Sequence, residues 1–156
     1  MATLLALLLA IASPSDGLQP ILQAPTTDWM RLDAFHLTIG MQRAEAVKAL
    51  RAWNPKEGKD ANELVVDYAS DKALTLEFRK GRLTSVRFEL FALLPHVRKA
   101  FEERRAALGE PRRSTRSILI YDHVLPNVIV VVNDDPKSAQ GKKGLGVVAV
   151  RYYDPR

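Results

Sequence analysis

Three histidines, His36, His96 and His123, are the side chains of this sequence best suited to moving protons or holding a metal. None stands at a ligand spacing to another, such as the i, i+4 pair of a zinc protease helix. His123 follows Asp122, and Asp134-Asp135 comes after the next expected strand, so a carboxylate–histidine cluster at that end of a sheet is the arrangement to test. Turn chemistry explains the same letters with less. His96 sits one residue after Pro95, in a first helical turn, where exposure is expected. Ser70, Ser85, Ser114 and Ser117 lie in no Gly-x-Ser-x-Gly setting. Residues Gly141-Lys142-Lys143-Gly144-Leu145-Gly146 have the letters of a phosphate loop, but a strand follows them. A phosphate cradle needs the N-terminus of a helix there. The chain has no cysteine. That excludes disulfides, thiolate metal sites, a cysteine nucleophile and a lipid-anchored N-terminal cysteine. The expectation is a protein that is not an enzyme and uses no metal and no cofactor.

Charge is the next chemical resource. The net charge is +5 over 156 residues. Arg104, Arg105, Arg112, Arg113 and Arg116 gather around the end of a helix, and Arg79, Lys80 and Arg82 gather at a hairpin. Either group suits an acidic protein or an anionic envelope surface. Aromatic side chains that would stack bases are not interleaved with them, so nucleic acid is not expected.

The elements that position these residues follow an N-terminal leader. Leu4–Ala12 is a short apolar run ending in Ala10-Ile11-Ala12, a small-x-small pattern. It is too short for a spanning helix, which needs about 20 apolar residues. Residues 1–12 therefore read as a signal peptide, although no Lys or Arg precedes the run. Pro14, Pro20 and Pro25 make residues 13–34 a tether, and residues 35–156 form one α+β domain. No transmembrane anchor is expected, and the location is periplasmic or secreted.

Within the domain one unit is written twice, over residues 39–90 and 94–153. Each copy reads as a helix followed by three strands. The first helix, about Met41–Trp53, has Met41, Ala44, Val47, Leu50 and Trp53 as its apolar stripe and stops at Asn54-Pro55. The second begins at Pro95, uses Val97, Phe101 and Leu108, and stops at Gly109 and Pro111. Alternation marks strands through Leu64–Tyr68, Leu74–Phe78 and Val86–Leu90, then through Ser117–Asp122, Val128–Asn133 and Gly146–Tyr153. The pattern predicts a mostly antiparallel six-stranded sheet with two helices packed on one face. The Asp134–Gly144 connection is long and expected to be mobile.

The phrases Thr38-Ile39-Gly40-Met41-Gln42-Arg43-Ala44-Glu45-Ala46-Val47 and Leu76-Glu77-Phe78-Arg79-Lys80-Gly81-Arg82-Leu83-Thr84-Ser85-Val86 carry a resemblance. They resemble the helix start and hairpin of the SmpA/OmlA family of small envelope lipoproteins of the outer-membrane β-barrel assembly machinery. The wider group has the β-lactamase-inhibitor-protein-like fold, whose duplicated arrangement the tandem copies resemble. The resemblance implies an exported bacterial envelope protein that works by contact with another protein. Two departures stand out: Gln42 replaces the usual capping Thr or Ser, and the lipidated cysteine is missing.

The last three strands are apolar on both faces, which a half-wet antiparallel sheet does not require. Alternation groups Leu119, Tyr121, Ile129, Val131, Val147, Ala149, Arg151 and Tyr153 on one side. Tyr and Arg among aliphatics is a composition enriched at interface hot spots. The expected function is non-catalytic binding of another envelope or secreted protein through this face. The alternatives are a soluble inhibitor or immunity-type protein of one enzyme, and a carrier of a small apolar ligand.

Overall fold

The structure, a computed structural model, describes residues 31–99, 102, 110–125 and 127–156. The leader, residues 13–30 of the expected tether, and Phe101, Arg104, Arg105, Leu108 and Gly109 of the second helix lie outside the described residues. Residues 31–34, expected as tether, belong to the folded lead-in: the Leu32 carbonyl accepts hydrogen bonds from Phe35 N (3.1 Å) and Leu37 N (2.9 Å).

Among the described residues, one antiparallel sheet contains eight strands in the order β1-β2-β3-β4-β8-β7-β6-β5. They are β1 (Lys56–Glu57), β2 (Glu63–Ala69), β3 (Lys72–Arg79), β4 (Arg82–Leu93), β5 (Arg113–Ser114), β6 (Ile118–Leu125), β7 (Val128–Asn133) and β8 (Leu145–Tyr153). This corrects the six-stranded sheet with two helices on one face: the fold has two more strands and is mostly sheet. The extra strands are pairings of two residues, Lys56-Glu57 on β2 and Arg113-Ser114 on β6. Each follows a helix-stopping proline, and each is too short and too polar to show a period of two.

The first helix is also shorter than its apolar spacing predicts. α1 spans Arg43–Ala49, and Arg51–Trp53 tightens into a 3-10 turn that ends with Asn54 at φ 52°. Ala46 and Leu50 form its buried edge, whereas Val47 is 40% exposed, so the stripe is rotated from the expected one. The N–H of Gln42 donates to Glu45 Oε2 (2.9 Å), so the glutamate closes the helix start that a Thr or Ser would otherwise cap. The second helix, α2, is seen at residues 94–99 and 102.

Both halves run from helix to short edge strand to a three-stranded meander. Their last strands meet at the centre: β4 pairs β8 from Ser85↔Tyr153 to Leu93↔Leu145. That seam joins the halves. The register lays Val66, Leu74, Phe88, Val150, Val130 and Tyr121 in one row across six strands, and each of them is fully buried. Ala46, Leu50 and Val97 from the helices share this core, as does Phe35, whose ring lies 5.0 Å from Trp53, 5.2 Å from Tyr68 and 5.5 Å from Phe88. We call this the inner face. Burial pushes the Tyr152 phenol up to about 12 and raises that of Tyr68 further, with Asp71 adding to the second shift.

The start of α1 is fastened to the β3–β4 hairpin. Lys80 (φ 51°) and Gly81 (φ 73°) form a two-residue turn with both residues left-handed, the geometry that suits strand twist. Gly40 N donates to Leu83 O (2.7 Å), Leu83 N to Met41 O (2.9 Å) and Arg43 N to Gly81 O (2.9 Å). The guanidinium of Arg82 donates to Gly40 O (3.0 Å). The two phrases that carry the family resemblance are thus bonded to each other. The Asp134–Gly144 connection is stitched internally: Ser138 Oγ donates to Asp135 O (2.8 Å) and accepts from Gly141 N (2.9 Å). A Cβ on Gly141 would come within 2.0 Å of the Asp135 carbonyl oxygen, so the loop closes only around glycine.

Candidate protein-binding face

Among the described residues, the other side of the sheet, the outer face, contributes nothing to the central core cluster, although Ala73, Thr75, Ser85 and Ala149 on it are buried. Its make-up follows from register. One row runs Ile120–Val131–Ala149–Glu89–Ala73–Asp67 from β6 to β2, and the next runs Ile129–Arg151–Arg87–Thr75–Val65. A third joins Ile118, Asn133, Val147 and Phe91, and a fourth joins Tyr153, Ser85, Glu77 and Glu63. The second half supplies aliphatic side chains, and the first half supplies charges. Leu93 extends the apolar part at the end of β4 and is 57% exposed.

This register corrects the sequence grouping. Ile129, Val131, Val147, Ala149, Arg151 and Tyr153 do share the outer face. Leu119 and Tyr121 do not: Leu119 pairs with Val132 and Tyr121 with Val130, so both point inward and are fully buried. Strand side chains alternate, so a one-residue error in pairing moves a whole strand to the other face. Strands apolar on both faces give the eye no way to choose. Phe91 and Leu93 were missed because β4 continues three residues past Leu90. No alternation marks this stretch, because Leu90-Phe91-Ala92-Leu93 is apolar throughout.

Arginines from the two halves meet at the seam, where Arg87 stands directly opposite Arg151. Like charges opposite one another repel. Arg151 is drawn away toward the first half, donating to Ser85 Oγ (2.7 Å) and to Glu77 Oε2 (2.7 Å) on β3. The pair is partly exposed, and such pairs contribute about 0–1 kcal/mol. Arg87 is less well served. Its Nε lies 3.5 Å from Glu89 Oε1 without a hydrogen bond, and that atom is shut off from solvent.

The remaining candidates are dispersed. Arg112 forms an ion pair with Asp122 (3.2 Å), Arg113 lies in β5 opposite Ile120, and Arg116 lines a recess with Arg98, Lys137, Asp134 and Asp135. Those acids give the recess no single sign of charge. The carboxylate–histidine cluster weighed against turn chemistry has its parts set far apart by the backbone. Asn133, just before Asp134-Asp135, pairs with Ile118, and His123 lies five residues further along β6. At about 3.3 Å per residue the two groups sit at opposite ends of that strand. Asp134 is engaged by Arg98 (3.2 Å). Among the described residues no three His, Cys, Asp or Glu side chains gather as metal ligands. No described helix is long and apolar enough to cross a membrane.

Comparison with known proteins adds no relative: no family model, no curated protein and no solved structure matches the chain.

Proposed function

We propose that this is a non-catalytic exported protein that binds another protein through the outer face of its sheet. The observation that supports it most is the aliphatic patch of Ile118, Ile120, Ile129, Val131, Val147 and Leu93 on a sheet face outside the core cluster. Apolar surface rimmed by charge is the ordinary make-up of a protein-binding patch. The leader and the resemblance to SmpA/OmlA proteins support an envelope setting, periplasmic or secreted.

The charge distribution favours a protein partner over a polyanion. The chain carries +5, yet the outer face sets Arg87 and Arg151 among Glu77, Glu89 and Asp67. A face of mixed sign selects a partner with complementary rows.

The test is site-specific photo-crosslinking in an envelope fraction. Probes replace Leu93 and Val131 on the outer face, and Lys48 on the exposed side of α1. Protein adducts from the first two sites and none from Lys48 are the expected result. Equal adducts from all three positions, or none from Leu93 and Val131, overturn the reading.

A further inference from the structure

We propose that the partner seated on this face is a second copy of the same chain, packed outer face to outer face with Arg87 of each copy on Glu89 of the other. The inference rests on the outer face being a protein-binding face, and it identifies the occupant.

The argument begins with the rows. Arg87 and Glu89 are two residues apart on β4, so they point the same way and lie in adjacent rows. A two-fold axis in the plane of the face, crossing β4 at right angles between these rows, exchanges them. It lays each strand on its own counterpart and each row on its neighbour. Arg87 then meets Glu89 of the second copy, and the reciprocal contact forms with it. Two-fold contacts are self-complementary in this way, residue i on j and j on i.

The same operation suits the strands of the second half, while on β2 it sets Val65 against Asp67. On β7 it sets Ile129 against Val131, and on β8 it sets Arg151 against the small Ala149 and Tyr153 against Val147. Neither Arg87 nor Arg151 is brought onto an arginine. Two sheets packed this way make a sandwich with strands within about 30° of alignment. The contact would therefore be best near the seam and would open toward the sheet edges as both sheets twist.

Arg87 supplies the second observation. Its Nε is shielded from solvent and lacks a hydrogen-bond acceptor, although Glu89 Oε1 stands 3.5 Å away. The side chain as a whole is 42% exposed, so its terminal nitrogens are open to a carboxylate arriving face-on. Glu89 of the same strand already stands beside the Nε, and Glu89 of a second copy would meet the exposed end.

The experiment is sedimentation velocity of the full chain over a wide concentration range. The proteins compared are wild type, Arg87→Glu, Glu89→Arg and the double exchange, each checked for native circular dichroism. Wild type is expected to dimerise with concentration. Either single exchange places like charges face to face, which costs several kcal/mol and weakens self-association on the order of a hundredfold. The double exchange restores the pairing, and with it the dimer. A wild type that stays monomeric, or a dimer indifferent to both single exchanges, overturns the inference. A double exchange that remains as weak as the singles overturns it too. A monomer whose Leu93 and Val131 probes still capture a different protein would refute self-docking and leave the protein-binding face standing. A monomer without adducts would remove both.

Discussion

The two halves of the sheet share a topology and differ in what they show to the outside. On the inner face they are alike: Leu74 and Leu76 of β3 correspond in burial to Val130 and Val132 of β7. On the outer face β3 and β4 present Thr75, Glu77, Arg87 and Glu89, whereas β7 and β8 present Ile129, Val131 and Val147. The connections differ too, a two-residue turn in one half and the Asp134–Gly144 loop in the other. A repeated scaffold therefore leaves its outward residues free to diverge. The inner rows carry the core in both halves, while the outer rows are charged in one half and aliphatic in the other.

Phe88→Ala tests that division most severely. Phe88 is fully buried at the seam, opposite Val150, and its truncation is expected to cost about 3–5 kcal/mol in urea denaturation. Leu119→Ala in the second half is expected to fall in the same range as other buried leucine truncations, about 2–5 kcal/mol. A near-zero loss at Leu119 would mean that the second half is loosely packed and that the halves differ inside as well.

Gly146→Val sharpens the comparison at the contact between β8 and α2. A Cβ there would lie 2.8 Å from the Val97 side chain, too close without movement of the helix. Overpacking of this kind costs about 1–3 kcal/mol, read as a lowered melting temperature. A neutral result would show that α2 is free to shift over the sheet.

The smallest effect concerns pH. Burial disfavours the phenolate and pushes Tyr152 up from an ordinary value of 10.0 to about 12 in the folded state. The folded state therefore keeps that proton longer than the unfolded chain. The stabilisation is intact below pH 10 and is lost as pH rises through 12. Tyr152→Phe is expected to flatten the fall in stability over that window, by up to about 1.4 kcal/mol per pH unit. An unchanged slope would assign the alkaline sensitivity to Tyr68 in the first half.

The sequence made the long strands legible because their alternation is strong: Leu74, Leu76 and Phe78 read as one buried set and are one. The tight turn at Lys80-Gly81 was legible for its glycine. Strand number was not, because Lys56-Glu57 and Arg113-Ser114 form strands only by lying against a neighbour that the local sequence does not name. Helix length failed at Leu50, where the spacing continues but the backbone tightens. The candidate face was half legible. Ile129, Val131 and Tyr153 were grouped correctly on it, and Leu119 and Tyr121 were misplaced because Ile118-Leu119-Ile120-Tyr121 is equally apolar in either parity. The seam between β4 and β8 was beyond reading, since the strand that β4 pairs with lies a whole repeat away.

That seam also sets the tempo of assembly. Each meander is built from neighbours in the chain and needs only short loops to close. The β4–β8 pairing joins residues some fifty to seventy positions apart, from Leu93 with Leu145 to Ser85 with Tyr153. Contacts that distant are the slow ones in folding, because their entropy must be given up before they stabilise anything. Until the seam zips, both halves expose a long strand edge, and it is in this interval that the chain is most open to pairing with the wrong neighbour.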